Sequence, residues 1–364
     1  MGQLFQSFWW GECLSPYEWL SLKSFVDFGH RFDLYTFDPD IAVPAQVRVC
    51  DAAEWVSRNE FFVYQDGFGK GSPAAFANVF RYQLLGERGG WWVDTDVVCL
   101  SDDIPDYPQF VARQDEDLVN IAVLRFPPQH PVMLRCLELA REKGRSVRWG
   151  ETGPQLLTQV LHELGNTEGT FDSSLCYPIH YNDALAVLQP SQAERVAGRL
   201  TGARFLHLWN TMLRNAGVWK TYLPPRGSML RRLVEQHQIS GWTGEYDEAG
   251  LSEAADLHAR LRAESSRRAE LETSLREADA RLQTEAGRRA ELEGGLSDAH
   301  VRIAAASARS TELQTALHNC ADAAERLRAE RDALMASTSW RLTAPLRALG
   351  RGLSRARRAL RHGW

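Results

Sequence analysis

The chain has 364 residues, of which 44% are hydrophobic and 24% charged, with a formal net charge of -5. That length supports one sizeable α/β domain plus a further element, and the mild acidity gives no sign of a nucleic-acid partner. Six cysteines without a Cys-x-x-Cys pair or regular spacing argue against a zinc site or a disulfide framework. No signal peptide is evident, and no apolar run approaches the ~20 residues of a membrane span, so a reducing, cytoplasmic setting is the expectation.

The first element that speaks to chemistry lies between Arg81 and Leu100. A helical pattern runs from Arg81 into the pair Gly89-Gly90, which allows a tight turn or a close backbone approach. The stretch Trp92-Val93 to Val97-Val98 and Leu100 then reads as a strand. Asp94 and Asp96 sit within it, one residue apart. Side chains at i and i+2 of an extended segment share a side. Two acids at the end of a buried strand repel and are costly to desolvate unless a cation lies between them. Hard oxygen ligands of this kind suit Mg²⁺ or Mn²⁺. An isolated Asp-x-Asp is more often a solvated turn, but these flanks are apolar.

Composition shifts near residue 245, after the turn-rich Pro224-Pro225-Arg226-Gly227 and Gly241-Trp242-Thr243-Gly244. From Leu251 to Leu334 there is no proline, and the three glycines are Gly287, Gly294 and Gly295. One heptad register runs through the segment, with Leu257, Leu271, Leu292, Leu313 and Leu327 among its d positions and Leu261, Leu275, Leu282, Leu296 and Leu317 among its a positions. Arg267 to Leu271 recurs as Arg288 to Leu292, a period of 21 residues or three heptads, which favours a left-handed coiled coil. A single helix here would reach roughly 125 Å at 1.5 Å per residue. Glu264, Arg268, Glu285 and Arg289 interrupt the seam. Self-association into a homo-oligomer is the favoured reading; a lone charged helix, or a hairpin folded at Gly294-Gly295, is the alternative.

The C-terminal segment changes character again. From residue 341 onward there are seven arginines and no acid, and Leu342, Leu346, Leu349, Leu353 and Leu360 line one face between Trp340 and Trp364. A basic amphipathic helix with tryptophan ends suits an anionic membrane surface; an acidic partner or nucleic acid is the alternative for this tail.

The run Arg81-Tyr82, Gly89-Gly90, Asp94-Thr95-Asp96 resembles the sugar-binding region of DXD-motif glycosyltransferases. These include bacterial capsular and lipopolysaccharide enzymes, α-1,4 and α-1,6 glycosyltransferases of fungi and animals, and, more distantly, the glucosylating clostridial toxins. The resemblance extends over about the first 230 residues. It includes Phe8-Trp9-Trp10-Gly11, Ser24-Phe25 with Gly29-His30 and Leu34-Tyr35, Glu151-Thr152-Gly153-Pro154, and His207-Leu208-Trp209-Asn210. One departure is that the acid three residues before the arginine of the motif is Asn78 here, which hydrogen-bonds but carries no charge. By resemblance, Trp9 stacks on the nucleotide base. Asn78 and Arg81 orient ribose or diphosphate, and Asp94 and Asp96 hold Mn²⁺ or Mg²⁺ with His207 as third ligand. Thr152 belongs to a turn opening a helix, or is only its N-cap.

The expected fold is α/β: a GT-A-like, Rossmann-related nucleotide-sugar domain over residues 1–240, a linker over 241–250, a coiled coil over 251–336 and a basic amphipathic tail over 337–364. The expected function is metal-dependent transfer of a sugar, with retention, from a UDP- or GDP-sugar to a glycan or lipid-linked acceptor in cell-surface polysaccharide synthesis. The enzyme would be cytoplasmic and peripheral on the inner face of the cell membrane. The alternative is a catalytically weak transferase-like scaffold that assembles partners through its coiled coil.

Overall fold

The structure, a computed structural model, describes residues 2–67, 69–167 and 169–351. Strand β1 (Leu4–Phe8) is followed by helix α1 (Pro16–Asp27), β2 (Arg31–Thr36) and β3 (Val47–Asp51). Helix α1 starts where the sequence Ser-Pro-Tyr-Glu dictates. The Ser15 hydroxyl accepts from the Tyr17 N–H, the Glu18 carboxylate accepts from the Ser15 N–H at 3.0 Å, and Pro16 occupies the first turn. That reciprocal box satisfies donors that have no intrahelical partner.

Helix α2 (Ala74–Glu87) is buried along most of its length, Asn78 and Arg81 included. It delivers the chain through Gly89-Gly90 into β4 (Gly90–Val93), which is followed by β5 (Val97–Cys99), β6 (Val111–Ala112) and β7 (Val123–Phe126). A Cβ on Gly89, whose φ is +70°, would lie 2.5 Å from the Pro128 backbone nitrogen, so only glycine fits there. Helices α3 (Pro131–Lys143) and α4 (Pro154–Glu163), strand β8 (Thr170–Phe171), helix α5 (Ala193–Leu200), strand β9 (Phe205–His207), helix α6 (Asn210–Asn215), strand β10 (Tyr222–Leu223), helix α7 (Met229–Gln236) and strand β11 (Gly244–Glu245) follow in the globular part.

The main sheet has five strands in the order β3-β2-β1-β4-β7. Strands β3, β2, β1 and β4 run parallel, and β7 pairs antiparallel with β4. Helices and loops cover both faces, so consecutive strand residues serve different cores. Trp91 packs with Phe5 and Phe205 on one face, while Trp92 joins Phe8, Phe80 and Leu124 on the other. The strand order reverses direction between β1 and β4. In such sheets the crevice outside the carboxyl ends at the reversal is where ligands bind. Trp9 directly follows β1 and Asp94 directly follows β4, and the register pairs Gln6 with Trp92, so the two positions lie at similar depth.

One local expectation is corrected. Asp94 and Asp96 do not share an extended strand. Strand β4 stops at Val93, the chain turns through residues 94–96, and β5 leaves to pair with β9. The turn is closed by the Val97 N–H on the Asp94 carbonyl at 3.1 Å, while the Asp94 N–H donates to the Ala122 carbonyl at 2.8 Å. Two different strand partners, β7 before the turn and β9 after it, pull the ribbon apart.

Residues Glu248–Ala336 form one helix, α8, of 89 residues, continuous through Gly294-Gly295, so the hairpin alternative does not hold. The chain divides into two compact units, Met1–Arg267 and Arg268–Trp364. A short helix, α9 (Thr338–Leu342), follows, with the Arg347 guanidinium 3.6 Å from the Trp340 ring centroid. The remaining basic positions of the tail, Arg355, Arg357, Arg358 and Arg361, lie outside the described residues together with Trp364. Among the described residues no helix is long and apolar enough to cross a membrane.

Candidate active site

A cavity of about 560 Å³ opens at the reversal between β1 and β4, within the usual range for a small-molecule site. Trp9, Asn78, Arg81, Asp94, Asp96 and His207 all line it. They come from the end of β1, from α2, from the turn after β4 and from the end of β9.

Asp94 is tied on one side. Its Oδ1 accepts from the Trp92 indole N–H at 2.8 Å and from the Arg81 guanidinium. Arg81 is buried and lies 4.7 Å from the Trp92 ring centroid, so charge pairing and cation–π contact fix it together. Asn78, one helical turn back, steers the same arginine: its Oδ1 accepts from Arg81 at 2.6 Å, and its amide donates to the Thr152 hydroxyl at 3.2 Å. The Tyr82 hydroxyl donates to the Thr152 carbonyl at 2.9 Å. Thr152 therefore does not cap α4, whose N-cap is Gly153 without a side-chain bond. It is buried and braces Asn78 from across the cavity.

Asp96 is tied on the other side. Its Oδ1 lies 3.2 Å from His207 Nε2, and its Oδ2 accepts the Asn210 N–H at 2.8 Å. That N–H is aimed at the carboxylate because Trp209 adopts a left-handed conformation, φ 56° and ψ 52°, which reverses the chain just after β9. The conformation costs a tryptophan energy and is held by its indole N–H on the Ile179 carbonyl at 2.8 Å. Burial would push the Asp96 carboxyl up. The charge and hydrogen bond of His207, the Asn210 N–H and Lys220 reverse that and hold it below the usual carboxylate range.

Ligand atoms of Asp94, Asp96 and His207 all lie within 4.8 Å of one another. Two carboxylates and an imidazole are a hard donor set, and the 3.2 Å between Asp96 and His207 is close to the edge of an octahedron with ~2.1 Å bonds, about 3.0 Å. The buried Nδ1 of His207 has no hydrogen-bond partner, which leaves the ring without a second hydrogen bond to define its tautomer. The residues present thus fit a divalent cation of the Mn²⁺ or Mg²⁺ kind.

Trp9 forms the opposite wall. Its backbone N–H donates to the Tyr35 carbonyl at 2.9 Å, its ring is half-buried, and the Lys220 ammonium lies 6.0 Å from the ring centroid. Lys220 in turn binds Glu18, a wholly buried carboxylate that also accepts the Asn210 amide at 2.9 Å. The sequence marks Glu18 only as half of a capping box. Its second role, bracing the turn that carries Asn210, depends on a contact 192 residues away. Trp92 and Asn210 are likewise members of the site that composition and spacing did not single out, although Asn210 stands in the His-Leu-Trp-Asn run.

Comparisons with known proteins bear on this arrangement. Residues 125–237 match the family model described as the alpha 1,4-glycosyltransferase conserved region. That segment contains Thr152, His207 and Asn210, whereas Asp94 and Asp96 precede it. The chain is similar to human alpha-1,4-N-acetylglucosaminyltransferase, 33% identical over 145 residues, covering 36% of this chain and 41% of the relative. It is also similar to human lactosylceramide 4-alpha-galactosyltransferase, 26% identical over 141 residues, covering 36% of this chain and 40% of the relative. The chain thus spans about two fifths of the length of these curated human relatives. Among solved structures, the apo-form glycosyltransferase GlyE of Streptococcus pneumoniae TIGR4 overlaps 70% of this chain and 63% of its own at 12% identity and a TM-score of 0.35. Overlap that loose supports no argument about mechanism.

These relatives overturn the expected location, cytoplasmic and peripheral on the inner face of the cell membrane. They are mammalian enzymes, several of them named for lactosylceramide. The expectation had leaned on the absence of a leader or span, and an absence fixes no compartment. What the same comparisons establish is similarity: residues 125–237 match the conserved region of the alpha 1,4-glycosyltransferases, and the curated relatives that this chain resembles are glycosyltransferases.

Proposed function

We propose that residues 1–240 form a GT-A-like catalytic domain that transfers a sugar from a nucleotide-sugar donor to a glycan or lipid-linked acceptor, with retention, in the synthesis of a cell-surface glycan. The observation that carries this reading is the convergence of Asp94, Asp96 and His207 at the strand-order reversal, inside a cavity also lined by Trp9 and Arg81. A Mn²⁺ or Mg²⁺ ion held by those three residues would act as a Lewis acid on the diphosphate.

The chain's own residues divide the remaining work. The half-buried Trp9 ring offers a face to the UDP or GDP base. The Arg81 guanidinium, held by Asn78 and Asp94, supplies a fixed positive charge where the diphosphate's negative charge grows as it leaves, and charge in place beforehand requires no reorganisation. Glu18, Lys220 and Asn210 keep the Asp96 turn in place. Asn210 reaches both carboxylates, one through its backbone and one through its side chain.

The test uses Asp94→Asn and Asp96→Asn. Alanine at Asp94 would strand the buried Arg81 charge, at about 3–5 kcal/mol for a broken buried pair, whereas asparagine retains an acceptor for Arg81 and Trp92. Release of sugar from UDP- and GDP-sugars with Mn²⁺ or Mg²⁺ should fall at least ~100-fold in each variant, with unfolding temperature nearly unchanged. Chelator should do the same to the parent. Full turnover in chelator would sink the metal reading, and an anomeric assignment of the product by NMR checks retention. We also propose that the chain self-associates through the helical segment 251–336.

A further inference from the structure

Helix α8 carries its a and d leucines in the open. Leu271, Leu275, Leu282, Leu292, Leu296 and Leu313 are all exposed. A stripe of that length is not a stable surface for a helix in water, and its 3.5-residue period selects a second helix as cover. The charges flanking the stripe identify that helix.

In the register with Leu271 and Leu292 at d, the g positions from 260 to 309 are Arg260, Arg267, Arg281, Arg288, Arg302 and Arg309 with Ser274 and Gly295, while the e positions include Glu272, Asp279 and Glu293. Two copies aligned parallel and in register set each g residue against the e residue five places on in the other copy. Arg267 then meets Glu272 of the second copy, Arg288 meets Glu293 of the second copy, and no g–e pair along the segment brings like charges together. An antiparallel pair would set g against g, arginine against arginine, at repeated positions. In register each polar layer meets its own copy, Glu264 against Glu264 and Arg268 against Arg268, with the opposite charge in the neighbouring layer, and Glu285 with Arg289 likewise; a one-heptad slip would drive Arg268 or Arg289 against leucine. In the single chain Arg268 and Arg289 already reach Glu272 and Glu293, at 3.0 and 2.9 Å, so both charge groups are gathered at the stripe's edge. Long arginine stems at a can run out to solvent from a two-stranded seam.

We propose that α8 docks on a second copy of this chain as a parallel, in-register, two-stranded coiled coil. This rests on the self-association reading above. Cys320, exposed and at a d position, then faces Cys320 of the second copy. In an antiparallel pair centred near residue 292, the two Cys320 would sit about 80 Å apart, at 1.5 Å per residue.

The experiment uses the full chain with Cys13→Ser and Cys50→Ser, because the other cysteines besides Cys320 are buried. Its mass is measured by light scattering after size exclusion, and it is then treated with a short bismaleimide. The expected result is a dimer mass and a covalent dimer that disappears in Cys320→Ser. A monomer overturns the self-association reading and this proposal with it. A trimer or larger overturns the two-stranded form. A dimer that resists linking at Cys320 overturns the parallel register and leaves self-association standing. Glu272→Arg with Glu293→Arg should weaken the dimer about tenfold, and adding Arg267→Glu with Arg288→Glu should restore it. Failure of the second pair to restore affinity would overturn the proposed contacts.

Discussion

Asn78 shows how one side chain can be recognised in the sequence while its neighbours decide what it does. Its place before Arg81 reads as a ligand contact with the charge missing. In the structure both ends of its amide are engaged, the oxygen by Arg81 and the nitrogen by Thr152. On the proposed function, Asn78 would act on a donor through the arginine as much as directly. Asn78→Leu leaves two buried polar partners unmet, which costs about 1–3 kcal/mol. Calorimetric titration with a nucleoside diphosphate and Mn²⁺ should show weaker binding by that amount. Asn78→Asp should bind nearly as the parent does, because the Thr152 hydroxyl can turn and donate to the new carboxylate. Unchanged affinity in the leucine variant would remove Asn78 from the site.

At the scale of elements, the β4 approach depends on Gly89 and the α1 exit depends on Asp27. Gly89→Ala adds a Cβ to a left-handed position against Pro128 backbone, so the strand that presents Asp94 must shift. A loss of about 1–3 kcal/mol is expected, readable as a lower urea midpoint. At the other end of the sheet, Asp27 binds Lys23 and, at 2.8 Å, the buried ring of His237, the residue just after α7. Burial alone would raise its carboxyl, but those two partners hold it below the usual range. A depressed carboxyl contributes stability above its unfolded pKa, about 3.9, and loses it as pH falls through the lower folded value. The stability gap between the parent and Asp27→Asn should therefore be full near neutrality and close in acid below about pH 4. Urea titrations at several pH values check this; a gap that widens in acid would contradict the pairing.

At the scale of the molecule, the candidate site and most of the exposed helix belong to separate compact units. A chain cut after Arg267 keeps Leu251, which is buried against the globular part, and loses most of the leucine stripe. It should hydrolyse a soluble donor at the full-length rate while its mass falls to that of a monomer. A cut protein that folds but has lost turnover would show that the long helix serves the site as well as assembly.

Periodicity and local chemistry, read along the chain, were enough for the elements whose signal is short-range. The capping box of α1, the helix before Gly89-Gly90 and the unbroken heptads of α8 each depend on residues within a few turns of one another, so propensity and pattern carry them. The Asp-x-Asp pair stood out for a different reason, since ionisable groups set in apolar runs are costly without a task; His207 was singled out through the resemblance of its His-Leu-Trp-Asn run. The tertiary structure decided what these groups meet. It folded the expected single strand into a turn, because β7 and β9 compete for its two halves. It turned Thr152 from a cap into a brace for Asn78, and placed Glu18 beside Asn210 across 192 residues. Such contacts leave no periodic trace, since their partners are brought together only by the strand order β3-β2-β1-β4-β7, and no local pattern encodes which strand ends will meet.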